Sequence, residues 1–594
     1  MASVDPDILR SADPDRLVRI RHTTSHVLAM AVQSLFPETK VTIGPWIENG
    51  FYYDFDRANP FTPEDLKRIK KEMIRILNKD LPLIREEVSR EEAKARIEAL
   101  HEPYKLEILE GLQDPISIYH VADQWWDLCA GPHLERTGQI HPKAFELESV
   151  AGAYWRGDEK RAQLQRIYGT AWETPEQLEE YQRRKEEAKR RDHRKLGKEL
   201  GLFIFSDLVG PGLPLWTPKG TVLRSTLEDF LKKEQVKRGY QGVVTPHLAR
   251  TDLFKTSGHW QLYKDDMFPL MRTNPEDESE GFVLKPMNCP HHIQIYKSEL
   301  RSYRELPLRF AEFGTVYRYE QSGELGGLTR VRGFTVDDAH LFVMPSQLDD
   351  EFRKVVDLIL FVFKALHLED FSARLSFRDP DSDKYMGSSE AWDKAQEAIR
   401  RAVQDLGMSH FEAVGEAAFY GPKLDFIFRD ALGREWQLGT VQVDYQLPER
   451  FDLEYVAEDG SRQRPVMIHR APFGSLERLI GILIEQYAGD FPLWLSPIQA
   501  RIIPVTEEHL SYGKHLQEQL LSHNIRAEVD DSGERIGKKV RNAEKDKVPY
   551  MLVVGDKEVA AEAVSVRTRA EGELGALPVV DLIAQMVEKV RGLG

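Results

Sequence analysis

The stretch KPMNCPHHIQIY, residues 285–296, places a cysteine beside two histidines. Cys289 is one of only two cysteines in the chain, and His291 and His292 follow it closely. Three kinds of chemistry suit these residue types: a zinc site, a thiol nucleophile with an imidazole base, and a buried thiol with no chemical role. Side chains this close in sequence converge poorly on one ion. A zinc site here would therefore need ligands from distant segments.

The other cysteine also has histidines near it in a metal-binding pattern. The stretch HTTSH places His22 and His26 four residues apart, which is one face of a helix, and CAGPH adds Cys129 and His133. Two histidines with a Cys–His pair are a combination that zinc sites use. The sequence therefore predicts a second polar cluster, separate from the first.

A third group of residues has the chemistry of phosphate and nucleobase binding. Within residues 309–340, Arg318 and Glu320 alternate at the end of a strand, and a Ser/Gly-rich loop and a returning strand with Phe334 follow. Arginine can grip a phosphate with its planar fork, glutamate can accept from an amine, and an aromatic ring can stack on a base. Arg478, at the start of an apolar helix, adds a second guanidinium group.

Several kinds of element must position these residues. Apolar spacing predicts a helix over 20–36, and strands broken at Gly-Pro and Asn-Gly follow within 40–56. From about 204 to 496 the strand-like runs are not separated by regular crossover helices, which favours a large antiparallel sheet with helices around it. Strands then alternate with helices over 498–594, as in a small α/β domain.

The composition is that of a globular protein with several domains. The chain has 594 residues, of which 41% are apolar, and a formal net charge of −16. This length corresponds to roughly three to five domains. Two cysteines suit a reducing compartment, the first residues lack a signal-peptide pattern, and no stretch predicts a membrane span, so we expect a cytoplasmic protein without membrane contact.

The negative net charge argues against general nucleic-acid binding, but one segment is strongly basic. Residues 174–203 carry nine lysines and arginines from Arg183 to Lys198 and have almost no apolar face beyond Tyr181. This pattern predicts a solvated linker helix that could also touch a phosphate backbone.

In combination, these motifs resemble those of the class II aminoacyl-tRNA synthetases, and in detail those of the threonyl-tRNA synthetase family. The hairpin around Arg318 looks like motif 2, GSLER like motif 3, and RSTLEDFLKKEQVKRGYQGVVTPHL like motif 1. TSGHW, KPMNCP, RVRGFTVDDAH, FYGPKLDF and PVMIHRAPFGSLER are similar to stretches of the threonyl family, and the resemblance covers residues 18–594. It implies an α+β multidomain protein: an antiparallel-sheet class II core, an α+β editing domain and a C-terminal α/β anticodon-binding domain.

The resemblance implies one catalytic zinc ion per subunit, held by Cys289, His340 and His469. Threonine and valine are nearly isosteric, and an apolar pocket separates such a pair poorly. A zinc ion that accepts the amino and hydroxyl groups of threonine would leave valine one contact short. By the same resemblance, Asp338 would take the ammonium charge of threonine. The other implied threonine contacts are Met287, Tyr420 and Gln442.

The family also implies an ATP site, with Mg²⁺ accompanying the nucleotide. Arg318 would contact the α-phosphate, which the threonine carboxylate attacks, and Arg478 would hold the γ-phosphate. Glu320 and Phe334 would hold adenine. The remaining implied roles are those of Arg330 near the phosphates, Lys423 in transition-state stabilisation and His259 near the terminal ribose of tRNA. Val336 departs from the pattern, because the family usually has glutamine there.

Serine has the same amine and hydroxyl as threonine and lacks one methyl group, a difference worth only about 1–3 kcal/mol. The resemblance accordingly implies a separate editing site that hydrolyses Ser-tRNA(Thr). Its residues would be His22, His26, Cys129, His133, Tyr53, Lys105 and Asp127. The alternative for the first four is a structural zinc site.

The predicted domains are a short N-terminal lead (1–15), an editing domain (16–170), a basic linker helix (171–203), a catalytic domain (204–496) and an anticodon-binding domain (497–594). In the last domain, Glu558 and Arg567 match positions that read anticodon bases. Many bacterial members of the family carry a ubiquitin-like domain before the stretch RHTTSH, where this sequence has only a short acidic lead, so we expect that domain to be either naturally lacking or trimmed, and we favour a natural lack.

The implied activity is that of a threonine–tRNA ligase, a homodimer built through motif 1, whose partners are tRNA(Thr), ATP and L-threonine. The alternative is a catalytically inactive, synthetase-like RNA-binding or regulatory paralogue. Such a paralogue typically lacks a motif arginine or a metal ligand. Arg318, Arg478, Cys289, His340 and His469 are all present, which favours the enzyme.

Overall fold

The structure is a computed structural model that describes residues 13–158, 160–272, 281–386 and 388–593. The chain divides into two compact units, residues 1–187 and 188–594. The short lead predicted for residues 1–15 lies almost wholly outside the described residues. Within the described ranges, no helix combines the length and the apolar character needed to cross a membrane.

The first unit contains a five-stranded sheet, in which β1, β3, β8 and β7 are neighbours and β2 pairs with β3, and a three-stranded sheet of order β4-β5-β6. Its helices are α1 (Pro14–Leu35), α2 (Pro63–Asn78), α3 (Arg90–Leu100), α4 (Pro103–Glu110) and α5 (Pro175–Arg191). Its strands are β1 (Lys40–Val41), β2 (Trp46–Ile47), β3 (Gly50–Asp56), β4 (Leu83–Val88), β5 (Ile116–Val121), β6 (Trp125–Leu128), β7 (Phe145–Tyr154) and β8 (Gln163–Ala171). The basic helix α5 spans the boundary between the units.

Helix α1 begins six residues before the apolar pattern predicts. The Asp13 side chain accepts a hydrogen bond of 3.0 Å from the Arg16 amide, and Pro14 occupies the first helical position. Both features favour a helix start that hydrophobic periodicity does not register. The predicted apolar face is buried: Val27 and Leu28, and Ala31 and Val32 one turn later, are inaccessible to solvent.

The second unit is built on an eight-stranded sheet of order β11-β16-β17-β24-β21-β20-β18-β19. Its helices before residue 490 are α6 (His193–Glu199), α7 (Pro218–Lys237), α8 (Thr251–Ser257), α9 (His259–Leu262), α10 (Cys289–Lys297), α11 (Leu348–Ala365), α12 (Ser389–Asp405), α13 (Gln446–Arg450) and α14 (Leu476–Gln486). Its strands there are β9 (Phe203–Ile204), β10 (Leu215–Trp216), β11 (Gln241–Gly242), β12 (Leu248–Arg250), β13 (Met271–Arg272), β14 (Gly281–Leu284), β15 (Arg301–Ser302), β16 (Leu308–Tyr317), β17 (Gly333–Val343), β18 (Phe371–Phe377), β19 (His410–Val414), β20 (Lys423–Arg429), β21 (Glu435–Asp444), β22 (Tyr455–Val456), β23 (Arg462–Gln463) and β24 (Val466–Ala471).

The central pairings of this sheet are antiparallel, and only the two edge strands β11 and β19 pair in parallel. The predicted antiparallel core is therefore confirmed. The motif 1 strand is shorter than the sequence pattern indicates, because only Gln241 and Gly242 pair with β16. We call the segment 318–332, which joins β16 to β17, the hairpin loop.

The register of the sheet lines up four residues on one face. His340 of β17 is opposite His469 of β24, His469 is opposite Gln442 of β21, and Gln442 is opposite Lys423 of β20. Residues one position away, such as Leu341, point to the other face and are fully buried in an apolar core that includes residues of α11. One face of the sheet is thus left for polar side chains.

The C-terminal part of the second unit is a five-stranded sheet of order β26-β25-β27-β28-β29. Its elements are β25 (Ala500–Pro504), α15 (Leu510–Ser522), β26 (Ala527–Val529), α16 (Ile536–Lys545), β27 (Tyr550–Val554), α17 (Asp556–Ala560), β28 (Ala563–Thr568), β29 (Gly572–Pro578) and α18 (Val579–Arg591). The first three strands are parallel, as expected for alternating strands and helices. The hairpin strand β29 was not predicted, and it includes Leu577 and Pro578, where the sequence pattern starts the last helix.

Candidate functional site

The structure brings Cys289 together with two histidines that are distant in sequence. Cys289 is the first residue of α10, His340 lies on β17 and His469 lies on β24. The candidate ligand atoms of the three side chains lie within 4.8 Å of one another, and all three residues are buried. His291, the nearer neighbour in sequence, is not a member of this group.

Each of the two histidines has one ring nitrogen bonded and the other bare. His340 Nδ1 lies 2.8 Å from His292 Nδ1, and His292 Nε2 lies 3.2 Å from a Glu312 carboxylate oxygen. His469 Nε2 lies 2.8 Å from Asp444 Oδ2. His340 Nε2 and His469 Nδ1 are buried and have no hydrogen-bond partner among the described residues.

This arrangement fits a zinc ion. Metal-binding histidines commonly bond a carboxylate or another acceptor through one nitrogen, which directs the lone pair of the other nitrogen at the metal. One cysteine and two histidines are ligands that zinc prefers, and three protein ligands leave a fourth position open for substrate. Burial raises the pKa of the Cys289 thiol well above its usual value, so a neighbouring cation is needed to favour the thiolate.

The partners of these ligands were not found from the sequence. Asp444 ends a strand and has no local signal, whereas His292 is so close in sequence to Cys289 that the two are not expected to bind one ion. Glu312 is buried and also accepts from the Thr245 backbone and side chain, which holds its carboxylate in place for His292. The adjacency of His292 to Cys289 was the only signal that could have identified it.

A cavity of about 530 Å³ opens on the polar face of the sheet. Most of the residues predicted for threonine and ATP line it: Met287, Cys289, Arg318, Glu320, Arg330, Phe334, Asp338, Tyr420, Lys423, Gln442, His469 and Arg478. His340 and His259 do not line it. Val336, where the sequence departs from the family, does.

At the Cys–His–His end, polar groups surround the triad. Burial raises the pKa of the Asp338 carboxyl group, and the Asn288 amide donates a hydrogen bond of 3.2 Å to it. The ring centroids of Tyr420 and His469 are 5.3 Å apart. The Gln442 side-chain amide donates a hydrogen bond of 2.8 Å to the Gly421 carbonyl, and this bond fixes the orientation of the Gln442 side chain.

The same cavity collects guanidinium groups. Arg318 lies over the Phe334 ring at 5.1 Å, and Arg330 donates 2.7 Å to Glu320. Arg478 donates 3.0 Å to the Thr329 carbonyl of the hairpin loop. Burial lowers the pKa of Arg478, and the nearby charges of Arg318 and Arg330 lower it further. Guanidinium groups held this close together are suited to a multiply charged anion.

Lys423 is held by a buried carboxylate that the sequence analysis missed. Its ammonium donates 2.8 Å to Asp425 Oδ2, two residues along the same strand. Asp425 also accepts from four other side chains: Arg374, Ser376, Gln437 and Thr440. Lys423 is therefore directed into the cavity by a carboxylate that cannot itself move.

His259 is buried behind this cavity. Its Nδ1 is 2.7 Å from the Ser257 hydroxyl oxygen, and its Nε2 has no partner among the described residues. Its ring centroid is 6.1 Å from that of Tyr420. Burial, and then the charges of His469 and Arg318, lower its pKa to about 3, so the imidazole is neutral at physiological pH.

In the first unit, the second cluster also converges. The ligand atoms of His22, His26, Cys129 and His133 lie within 4.8 Å of one another. Cys129 Sγ is 3.4 Å from His22 Nε2 and 3.2 Å from His133 Nε2. Burial raises the pKa of Cys129 to about 12 and lowers the pKa of His26 and His133. All four groups are neutral at pH 7 in the absence of a ligand.

The three other residues predicted for this cluster form a chain that reaches it. The Tyr53 hydroxyl donates a hydrogen bond of 2.6 Å to the Asp127 carboxylate. The Lys105 ammonium donates a hydrogen bond of 3.1 Å to the Tyr53 oxygen and forms an ion pair with Asp127. His26 Nε2 lies 3.9 Å from Asp127. Lys105 and Asp127 also line a second cavity of about 440 Å³.

The two predicted anticodon residues lie on neighbouring elements, and both have partners in the protein. Glu558 of α17 accepts a hydrogen bond of 2.7 Å from the Ser565 hydroxyl and one of 3.0 Å from the Gly555 amide. Arg567 of β28 donates a hydrogen bond of 3.1 Å to Glu544 and one of 3.4 Å to Glu573.

Comparison with known proteins matches three segments of the chain to family models. Residues 271–487 match the tRNA synthetase class II core domain (G, H, P, S and T), residues 499–589 match the anticodon binding domain, and residues 116–168 match the threonyl and alanyl tRNA synthetase second additional domain. A threonine–tRNA ligase from Synechocystis sp. is 73% identical over 588 residues, which are 98% of this chain and 98% of the relative. The chain belongs to the threonine–tRNA ligase family. Its members are ATP-dependent aminoacyl-tRNA synthetases, so the predicted family, fold class and enzyme class are confirmed.

Other threonine–tRNA ligases extend the likeness. The chloroplastic/mitochondrial 2 ligase of Arabidopsis thaliana is 56% identical over 570 residues, which are 96% of this chain and 86% of the relative. A solved structure titled as the RNA binding domain of threonyl-tRNA synthetase from Cryptosporidium parvum has a TM-score of 0.64 and 39% identity, over 67% of this chain and 98% of that one. Nothing supports the inactive paralogue as an alternative to a threonine–tRNA ligase.

Proposed function

We propose that the chain activates L-threonine with ATP in the cavity of its second unit and transfers it to the 3′ end of tRNA(Thr). One observation carries this proposal: two members of the Cys–His–His triad, Cys289 and His469, and three guanidinium groups line the same cavity. The triad has the ligands to select an amino alcohol, and the guanidinium groups have the charge to hold a nucleoside triphosphate. The carboxylate and the α-phosphate that must react would meet between them.

Cys289, His340 and His469 would hold the zinc ion, and Mg²⁺ would accompany ATP. Bound zinc would act as a Lewis acid toward the amino and hydroxyl groups of threonine. The partly buried Asp338 carboxylate would accept a hydrogen bond from the amino group, and the fixed Gln442 amide and the Tyr420 ring would shape the pocket. Valine offers no second oxygen or nitrogen to this arrangement, so its activation would be weak.

The arginines and Lys423 would act on the phosphates. Arg318, stacked on Phe334, would neutralise charge that develops on the α-phosphate as the threonine carboxylate attacks it. Arg478 and Arg330 would hold the terminal phosphates, and Glu320 would then exchange its bond with Arg330 for the adenine amino group. Asp425 would keep the Lys423 ammonium in the position where charge appears.

His259 would assist the transfer step. Its neutral imidazole has a bare Nε2, which could accept a proton from a ribose hydroxyl of the terminal adenosine of tRNA. The Ser257 contact at Nδ1 would hold the ring in the required tautomer.

We further propose that the cluster of the first unit hydrolyses Ser-tRNA(Thr). Because the Cys129 pKa is about 12, this side chain is a poor nucleophile at pH 7, and the neutral imidazoles around it are better suited to orient a water molecule. The linked side chains of Tyr53, Lys105 and Asp127 supply the charge to bind the ester and its ribose. A structural zinc site at the quartet is the alternative.

The remaining proposals concern organisation. We propose a cytoplasmic homodimer whose interface includes the motif 1 region, because Val236 is 71% and Val244 is 92% exposed there. The domain limits are proposed at 16–170, 171–203, 204–496 and 497–594. Glu558 and Arg567 would read the anticodon after releasing their present partners, and the basic helix α5 would contact the tRNA backbone.

Exchange of pyrophosphate into ATP with threonine, valine or serine tests activation. We expect strong exchange with threonine, weaker exchange with serine and almost none with valine, and we expect removal of zinc by a chelator to abolish exchange with threonine. Exchange with valine equal to that with threonine would contradict the proposed discrimination between the two amino acids. For editing, Ser-tRNA(Thr) should persist with a His22→Ala/His26→Ala variant and disappear with the wild type.

A further inference from the structure

His193, at the start of helix α6, joins two parts of the ATP-binding region that are distant in sequence. Its Nδ1 lies 2.6 Å from Glu485 Oε1 on helix α14, and its backbone amide donates 3.0 Å to the same oxygen. Its Nε2 accepts a hydrogen bond of 3.0 Å from the Leu328 amide of the hairpin loop. The ring therefore carries its proton on Nδ1, and its Nε2 lone pair faces the loop.

The packing around the ring leaves the loop little freedom. His193 is only 4% exposed. A Cβ atom at Gly327, whose φ is +60°, would lie 2.3 Å from His193 Nε2. A Cβ atom at Gly481 of α14 would lie 3.6 Å from the imidazole and 3.3 Å from the Leu328 side chain. Glycine at 327 leaves room for the imidazole, and glycine at 481 leaves room for the Leu328 side chain.

The residue after Leu328 connects this contact to the cavity. Thr329 accepts a hydrogen bond of 3.0 Å from Arg478 through its carbonyl oxygen, and Arg330 lines the cavity. A shift of Leu328 would therefore displace both the acceptor of Arg478 and the side chain of Arg330.

We propose that His193 is a positioning residue for ATP binding, which holds the hairpin loop against α14 through the Leu328 amide. The inference rests on the proposed function, in which Arg330 and Arg478 bind the phosphates. His193 does not touch the nucleotide itself. It sets the place of two groups that do.

The same side chains also have the composition of a metal site, since Asp192, His193 and Glu485 lie close together. Both nitrogens of the ring already have protein partners, however. Asp192 is bonded to the Arg194 amide and guanidinium, and Glu485 pairs with Arg434. These bonds favour a structural contact over metal binding.

Two substitutions of His193 test its two hydrogen bonds separately: the bond of Nδ1 to Glu485 and the bond of Nε2 to the Leu328 amide. His193→Gln can place an oxygen near the position of Nε2 and accept from Leu328, whereas His193→Asn can donate to Glu485 but is too short to reach the loop. We expect His193→Asn to raise the KM for ATP about tenfold, the effect of one lost hydrogen bond. The KM for threonine should stay within about twofold, and His193→Gln should restore most of the ATP affinity. An equal loss in both variants, or none in His193→Asn, would overturn the proposal.

Hydrogen exchange of the Leu328 amide in the protein without nucleotide gives an independent measure. The peptide that contains Leu328 should exchange about tenfold faster in His193→Asn than in His193→Gln, with similar melting temperatures for the two variants. A global loss of structure would accelerate exchange in all peptides and lower the melting temperature. Unchanged Leu328 exchange would contradict the contact.

Gly327→Ala provides a test should His193→Asn fail to fold, because its added methyl group would push the loop away from the imidazole. Gly323→Ala controls for a substitution in the same loop, and Gly407→Ala controls for backbone strain, since Gly407 shares the positive φ of Gly327; a Cβ atom at either control position would meet nothing within 4 Å. Only Gly327→Ala should raise the KM for ATP. Arg478→Ala distinguishes the two levels of proposal: if it leaves ATP use intact, the proposed function fails, whereas loss in Arg478→Ala without loss in Gly327→Ala or His193→Asn refutes only the role of His193.

Discussion

At the scale of single residues, the candidate site depends on partners as much as on ligands. His469 and His340 each bond through one nitrogen to a neighbouring group, and this leaves one lone pair on each ring directed at the cysteine. Asp425 does the same for Lys423 by holding its ammonium. These carboxylates set the protonation state and direction of the side chains that face the substrate.

Asp444→Asn should weaken zinc binding about 10–100-fold, because the asparagine NH2 group would face His469 Nε2 and cannot accept its hydrogen bond. The change keeps an oxygen for the Gln446 and Leu447 amides, which bond Asp444 Oδ1 at 2.7 and 3.0 Å, so α13 should remain intact. Competition with a fluorescent zinc chelator measures the affinity. Asp459→Asn, at an exposed turn, is the control, and equal affinities in the two variants would contradict a supporting role for Asp444.

The reactivity of Cys129 should follow its raised pKa. With a pKa of about 12, the thiolate fraction and the rate of alkylation by iodoacetamide should rise about tenfold per pH unit from pH 8 to pH 10. An ordinary cysteine, with a pKa near ~8.5, levels off above pH 9. Peptide mass spectrometry of folded and urea-unfolded protein follows the two cysteines separately. A plateau below pH 9 for Cys129 in the folded protein would show that its thiolate is stabilised.

At the scale of elements, the register of the sheet explains how residues from four strands reach one site. Antiparallel pairing places His340, His469, Gln442 and Lys423 in one row across β17, β24, β21 and β20. A slip of one residue in any pairing would send a member of the row into the apolar core. A partly buried ion pair joins helices α7 and α14 beside strand β17.

Arg224 of α7 makes that connection. Its guanidinium group donates a hydrogen bond of 2.7 Å to Glu477 of α14 and another of 2.7 Å to the Thr335 hydroxyl of β17. Arg224→Met should lower the free energy of unfolding by about 3–5 kcal/mol, because the nearly fully buried Glu477 would lose its counter-charge.

The double variant Arg224→Met/Glu477→Gln should recover part of this loss, since the glutamine carries no charge. Urea unfolding of the wild type, both single variants and the double variant gives the coupling energy. A loss below about 1 kcal/mol in Arg224→Met would show that solvent, and not Arg224, compensates the buried carboxylate.

At the scale of the whole molecule, the exposed apolar side chains indicate an interface. Val244 is 92%, Val236 71% and Leu248 42% exposed, and all three lie in or just after the motif 1 region. Isolated apolar residues on a surface are ordinary, but neighbouring ones mark contact sites. This distribution supports the proposed homodimer.

Val244→Glu should convert the dimer to a monomer, because the interface would have to bury an unpaired carboxylate. Light scattering at a fixed protein concentration measures the mass. Val580→Glu, at a 78% exposed position of α18, is the matched control and should leave the dimer intact. A dimeric Val244→Glu variant would place the interface elsewhere.

The sequence by itself determined what is local or carried by motif. The period of α1 sets His22 and His26 on one helix face, and the alternation of β16 and β17 predicts an antiparallel core. The resemblance to a known family then assigned His340 and His469 to Cys289, which no spacing rule could do. Only the tertiary structure shows which groups His292, Asp444, Asp425 and His193 contact. Their contacts depend on strand register and on helix packing across distant segments, which long-range burial sets and local propensity does not.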